Sequence, residues 1–390
     1  MEMKFKKIVY IRYFPLTETI YNDLYFKELI EQKIEVEYLD ISFLFSSNQT
    51  KSNSFDFKGN ITIKNYNQLK EYFNKNNENT LYISIMSFEW RVIRLYRIIT
   101  KYNLTIAVFA RGVFPNAQIS KKSKIKHLIK IVSFKKIILF SKSKLTSILK
   151  KTGFIKHYDY IFKAGNFGYW ALGVGSEIDL LKSEIIDVNT VDYDRYLLEI
   201  NKDNKSGDIV YLDQYFPYHP DVEFLKIKTV EPEIYYKELN VYFDRLEERT
   251  GRKIVIAAHP KAELYKQINP FNSRQIYFNQ SDELVKDASL VITHDSTSIC
   301  YPICFNKKIL LLTSKYLENV FPYISLNMNG IKNACGASIV QMDVEKDMQF
   351  DKSIDKTLYQ QYKYNYLTSK KSEKQISKDI FLNFILNKNK

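Results

Sequence analysis

The feature that most constrains this chain is an alternation that occurs twice, in which short β-branched apolar runs are separated by stretches whose apolar residues recur at helical spacing. In the first half, 7–12, 36–39, 81–87 and 105–110 read as strands, and 18–32, 66–74 and 90–102 read as helices. In the second, strands at 208–212, 253–258, 290–293 and 309–313 alternate with helices at 235–250, 281–287 and 297–305. A strand followed by a helix and another strand cannot close as a hairpin, so the strands must pair in parallel with the helices covering both faces. Each half is therefore expected to be a Rossmann-like, doubly wound α/β domain.

At 390 residues the chain exceeds what one core usually holds, which agrees with two domains. The apolar rhythm weakens between 187 and 207, in DVNTVDYDRYLLEINKDNKSG. We therefore expect an N-terminal domain over 1–190, a linker over 191–207, a C-terminal domain over 208–358 and a helical tail over 359–390 that packs back on the first domain. The tail carries a late apolar cluster at Ile380, Phe381, Leu382, Phe384 and Ile385.

No run of about 18 apolar residues is present, and the apolar stretch near the N-terminus is too short and interrupted for a secretory leader. The expectation is a cytoplasmic chain. Its 3 cysteines, Cys300, Cys304 and Cys335, fit a reducing compartment and a core role. Cys300 and Cys304 lack a nearby His or acidic residue to complete a metal set, so neither a metal nor a cofactor is expected.

The net charge of +14 is unevenly distributed. From Asn116 to His157 there is no acidic residue, while lysines recur from Lys121 to Lys156 among apolar residues such as Leu128, Ile131 and Phe134. Such a stretch suits an anionic membrane surface, at the inner face of the cytoplasmic membrane, and equally a solvated helix face. No nucleic-acid recognition motif accompanies it, so nucleic acid is not expected as a partner.

In a doubly wound sheet, ligands bind outside the carboxyl ends of the strands. Three such ends in the second half carry polar residues: Asp213 and Gln214; His259, Pro260 and Lys261; and His294, Asp295, Ser296, Thr297 and Ser298. Small hydroxyl residues that open a helix leave backbone N–H groups and a positive dipole end facing the crevice, which suits a phosphate, although the same residues cap ordinary helices. His259 and Lys261 could meet that phosphate, and Asp213 is placed to act as a base or as a carboxylate nucleophile. His219 reads as a residue that orders a loop. In the first half Glu89 is a rival base, and Arg111 with Gly112 follows the strand 105–110 as a ligand for an anionic sugar or as a structural ion pair.

YLDQYFPYHPD, VIAAHPKAEL and ITHDSTSICYPICFNKKILLLTS together resemble the C-terminal domain of GT-B glycosyltransferases of bacterial surface polysaccharides, particularly the CMP-sugar users, the Kdo transferases and sialyltransferases. The likeness covers about residues 208 to 314. It implies that His259 and Pro260, with Ser296, Thr297 and Ser298, hold the CMP moiety. It also implies metal-independent transfer of Kdo or another nonulosonate to a glycan or lipid-linked glycan acceptor. The short acidic-Gly motif that supplies the base in the sialyltransferases has no clear equivalent in the first half, which shifts weight from sialyl transfer to other nonulosonates, with Asp213 as the carboxylate. A sugar-nucleotide epimerase or hydrolase of the same fold, and a noncatalytic membrane or polyanion adaptor, are the competing readings.

Overall fold

The computed structural model describes residues 3–45, 55–115, 134–200, 207–219, 228–344 and 353–387. They form two compact units, the first drawn from Met1–Val113, Lys121–Val191 and Thr368–Lys390 and the second chiefly from Asp192–Leu367.

The first unit is built on strands β1 (Lys7–Arg12), β2 (Glu35–Asp40), β3 (Asn60–Thr62), β4 (Thr80–Ser84), β5 (Ile106–Ala110), β6 (Tyr160–Ala164) and β7 (Glu184–Val188). The second has β8 (Ile209–Leu212), β9 (Ile254–Ala258), β10 (Ile276–Phe278), β11 (Leu290–Thr293), β12 (Ile309–Thr313) and β13 (Ser338–Gln341). The sheet orders are β3-β2-β1-β4-β5-β6-β7 and β10-β9-β8-β11-β12-β13. Every pairing between these strands is parallel. In each sheet the chain winds outward from its first strand, then crosses back and winds the other way, as a Rossmann-type domain does. Both domains are thus of the doubly wound kind from which the GT-B fold is made.

The central strands β8, β9, β11 and β12 are buried along their whole length, which is why they read as unbroken apolar runs. Tyrosines fill much of both cores, and a buried phenol must find a partner for its hydroxyl. Tyr10 donates to the Leu24 carbonyl at 2.6 Å and Tyr38 to the Phe14 carbonyl at 2.7 Å, while Tyr96 and Tyr158 pair at 2.7 Å. In the first unit Lys150 and Asp179, both fully buried, form an ion pair of 2.5 Å that ties the helix Phe134–Lys151 to the helix Ser176–Lys182.

Three expectations change. The helix expected over 18–32 is two short helices, Glu18–Asp23 and Phe26–Glu31, because Tyr25 takes a left-handed φ of 64° and the Leu24 carbonyl is drawn to Tyr10. The segment read as linker carries the helix Val191–Glu199, whose Tyr193, Asp194 and Glu199 are buried. The residues read as one tail divide: those up to Leu367 belong to the second unit and those from Thr368 to the first. There the helix Ser377–Ile385 places Phe381, Phe384 and Ile385 in a core shared with Ile8, Tyr10 and Phe162.

Candidate functional site

At the carboxyl edge of the second sheet lies a cavity of about 510 Å³, a size suited to a small ligand. The residues after β8 (Gln214, Phe216, His219), β9 (His259, Pro260) and β11 (Asp295 to Ser298) line it, so it straddles the β8/β11 switch point of the winding. Side chains of the helix Val191–Glu199 and of the segment after β10 complete the wall.

The strand-end residues are held in a defined way. Gln214 and Asp295 bond reciprocally across the switch point: the Gln214 Nε2 donates to Asp295 Oδ1 at 3.0 Å, and the Asp295 N–H donates to Gln214 Oε1 at 3.0 Å. Asn327 donates to the other carboxylate oxygen at 2.8 Å. Both oxygens of Asp295 are therefore oriented by neutral amides. Ser296 caps the following turn by accepting from the Ser298 N–H at 3.1 Å, which leaves Thr297 and Ser298 on the cavity wall.

His259 Nδ1 accepts from the Lys261 N–H at 3.1 Å. A nitrogen that accepts has no proton, so in the neutral ring the proton sits on Nε2, making that atom a donor. The His219 ring packs edge-on against it, with centroids 4.8 Å apart, and both imidazoles line the cavity.

The sequence expectation had placed Asp213 and His294 in the crevice, but neither lines the cavity. Side chains alternate along a strand, and Asp213 is in phase with Tyr211, as His294 is with Ile292, both of which face the core covered by the helix Pro232–Thr250. His294 is fully buried behind the Phe216 ring, 5.2 Å between centroids. Its Nδ1 lies 2.6 Å from the Leu312 carbonyl, so Nδ1 donates; Nε2 then accepts from the Tyr235 hydroxyl at 3.0 Å, and Tyr235 in turn accepts from Tyr211 at 2.8 Å. Burial lowers the imidazole pKa to about 4, which keeps it neutral and fits this arrangement.

Asp213 is only 4% exposed. Its Oδ2 accepts from the Tyr215 N–H at 3.1 Å, and Oδ1 has no partner at hydrogen-bonding geometry among the described residues. Burial raises its pKa to about 6, opposed by the nearby Tyr215 N–H, the Tyr265 hydroxyl and the Gln214 and His259 N–H groups.

Lys261 is exposed outside the lining. Glu89, Arg111 and Gly112 belong to the first unit: Glu89 pairs with Arg91, and Arg111 donates to the Asp23 carbonyl at 2.8 Å and the Tyr25 hydroxyl at 3.2 Å. Cys300 is buried and Cys304 partly buried, and desolvation raises both thiols above their usual range.

Several lining residues escaped the sequence reading. Asp192 and Arg195 come from the helix read as linker, His219 from a loop, and Asp282 from the first turn of the helix Ser281–Asp287. Tyr301 donates to Asp192 Oδ1 at 3.1 Å. Desolvation raises the Asp192 pKa, and the Asp282 charge adds to it; the Tyr301 hydroxyl and the Arg195 guanidinium oppose it. A carboxyl so placed takes up a proton more readily than a free one. The Asp-x-Asp spelling at 192 and 194 does not form a paired site, because Asp192 lines the cavity while Asp194 is buried.

Among the described residues three carboxyl groups line the cavity against one guanidinium, so an anion there relies on other donors, namely the His259 ring and the Thr297 and Ser298 hydroxyls. The carboxylates suit ligand hydroxyl groups. Among the described residues no group of His, Cys, Asp and Glu has the arrangement of a metal site.

No family model matches the chain, and no curated protein sequence matches it. Solved structures similar to it include the UDP-GlcNAc 2-epimerase of Neisseria meningitidis bound to UDP-GlcNAc, with a TM-score of 0.47 and 9% identity over 98% of this chain and 99% of that one. The wall teichoic acid polymerase TagF is similar with a TM-score of 0.44 and 12% identity over 98% and 84% of the two chains. The calicheamicin glycosyltransferase has a TM-score of 0.43 and 10% identity over 87% of each.

Proposed function

We propose that this chain is a sugar-nucleotide enzyme of the glycosyltransferase type, and that its donor is a CMP-linked acidic sugar such as Kdo or another nonulosonate. The observation that carries the reading is the cavity at the switch point of the second sheet, where the His259 ring and the Thr297 and Ser298 hydroxyls form a donor set beside the acid/base candidate Asp192. A site with one guanidinium and three carboxyl groups suits a single phosphate ester better than a pyrophosphate. Arg195 is then the partner for the sugar carboxylate.

In this reading the bond between the anomeric carbon and the phosphate oxygen breaks, and CMP leaves with the electron pair. His259 Nε2–H and the two hydroxyls stabilise the charge that develops on the phosphate. The hydroxyl of a surface glycan or lipid-linked glycan acceptor attacks the anomeric carbon, and its proton passes to Asp192, whose raised pKa makes it the better base.

Thermal unfolding with CMP, UDP and GDP tests the donor, since a ligand at a hundredfold excess over its dissociation constant adds about 2.7 kcal/mol. CMP is expected to stabilise most, and His259→Ala to weaken that effect. With a CMP-sugar and a glycan acceptor, Asp192→Asn is expected to lower turnover by about a hundredfold or more while leaving CMP binding in place. Preference for UDP or GDP would overturn the donor, and release of an epimer or free sugar without acceptor would favour the epimerase or hydrolase.

A further inference from the structure

The helix Phe134–Lys151 presents two faces that differ in kind. On one, Thr146 and Lys150 are buried, and Lys150 is pinned by Asp179. On the other, Leu145 and Ile148 are 44% and 52% exposed, and Lys144 and Lys151 flank them, both exposed. These four positions fall within one helical face by their spacing of three and four. The turn that ends the helix exposes Phe154 by 48%, with the Arg97 guanidinium 4.5 Å from its ring centroid.

We infer that this outward face, Leu145 and Ile148 with Lys144 and Lys151, docks the protein on an anionic lipid surface, with Phe154 and Arg97 exposed in the turn that follows the helix and on the helix Ile93–Lys101. The inference stands apart from the donor reading, because all of these residues lie in the first unit. A lipid surface is the partner that uses both halves of the pattern: branched and aromatic side chains enter below the headgroups while ammonium and guanidinium groups remain at headgroup level. An acidic polymer would leave the apolar side chains without a role. A second copy would bring together two basic faces of a chain whose net charge is +14. The sequence from Asn116 to His157, which includes this helix, has no acidic residue to oppose anionic headgroups. No described helix is long and apolar enough to cross a membrane, so the contact assigned here is one of surface docking.

Co-sedimentation of the full chain with vesicles tests the inference, comparing phosphatidylcholine alone with phosphatidylcholine containing phosphatidylglycerol. Binding is expected only with the anionic lipid and should weaken as salt rises above about 0.1 M, where the screening length falls below about 10 Å. Lys144→Gln and Lys151→Gln should each weaken binding about fivefold. Leu145→Ser with Ile148→Ser should weaken it about tenfold or more. As surface changes, all should unfold thermally like the parent and keep its nucleotide binding. Equal binding to neutral vesicles would overturn the inference, as would serine variants that bind like the parent, since the basic run alone would then account for attachment. A vesicle-independent dimer abolished by the serine variants would instead assign the face to a second copy.

Discussion

Replacing Asp213 by Asn should stabilise the second unit at neutral and alkaline pH, and the gain should disappear in acid. The carboxyl titrates at about 6 in the folded protein against 3.8 for the free group. Because the folded value is raised, the unfolded chain loses its proton first. The side chain's contribution is therefore whole below pH 3.8 and is lost as pH rises through 6. A difference of about 2.2 units corresponds to about 3 kcal/mol at pH 8 and about 1.6 kcal/mol at pH 5. Asparagine can still accept from the Tyr215 N–H, but its amide hydrogens enter a pocket already ringed by N–H groups, which offsets about 1 kcal/mol. The net expectation is a gain of about 2 kcal/mol at pH 8 that shrinks towards zero at pH 5 and below. Urea unfolding followed by far-UV circular dichroism measures it. Both tryptophans, Trp90 and Trp170, lie in the first unit, so their fluorescence follows that unit separately. A gain that is the same at pH 5 and pH 8, or a loss at pH 8, would refute the reasoning. Because Asp213 does not line the cavity, nucleotide binding should survive the change.

His294 should impose an acid limit of its own. Its folded pKa of about 4 lies below the free value of 6.5, so its contribution is whole above pH 6.5 and about 3 kcal/mol is lost as pH falls through 4. His294→Ala should cost stability at pH 7 yet flatten that acid limb in pH-dependent unfolding. Lys150→Met or Asp179→Leu alone should each cost about 3 to 5 kcal/mol, because each strands a buried charge, while the double variant should recover much of the loss. A thermodynamic cycle from urea unfolding checks this, the Tyr158 N–H that Asp179 also accepts being what the double variant cannot restore.

The sequence revealed those elements whose signal is local. Strands such as Ile254–Ala258 and Ile309–Thr313 are wholly buried, so their composition alone identifies them. The edge strands Asn60–Thr62 and Ile276–Phe278 are three residues each and only partly buried, and they exist because a parallel neighbour offers its hydrogen bonds. At the site, the strand-end rule pointed to His259 and the Ser296–Ser298 turn, which line the cavity. It misjudged Asp213 and His294, because a strand end fixes position along the edge while side-chain phase decides which face is met. Asp192 and Arg195 were hidden for another reason. Their place on the wall comes from the packing of their helix, where Tyr301 reaches Asp192 and Tyr196 meets the Phe305 ring 4.9 Å away between centroids, and no local pattern records such contacts.

The first unit takes its last structural elements from beyond the second. Ser377 accepts from the Asn189 N–H at 2.8 Å, the Ile385 carbonyl accepts from the Lys4 N–H at 3.0 Å, and Phe381 fills space between Tyr25 and Phe162. During synthesis, then, the 176 residues from Asp192 to Leu367 must leave the ribosome after the body of this unit before the piece that closes it arrives. Until then the nascent sheet has an apolar flank open to solvent, which makes that interval the one in which premature termination or delayed elongation would expose the chain to aggregation.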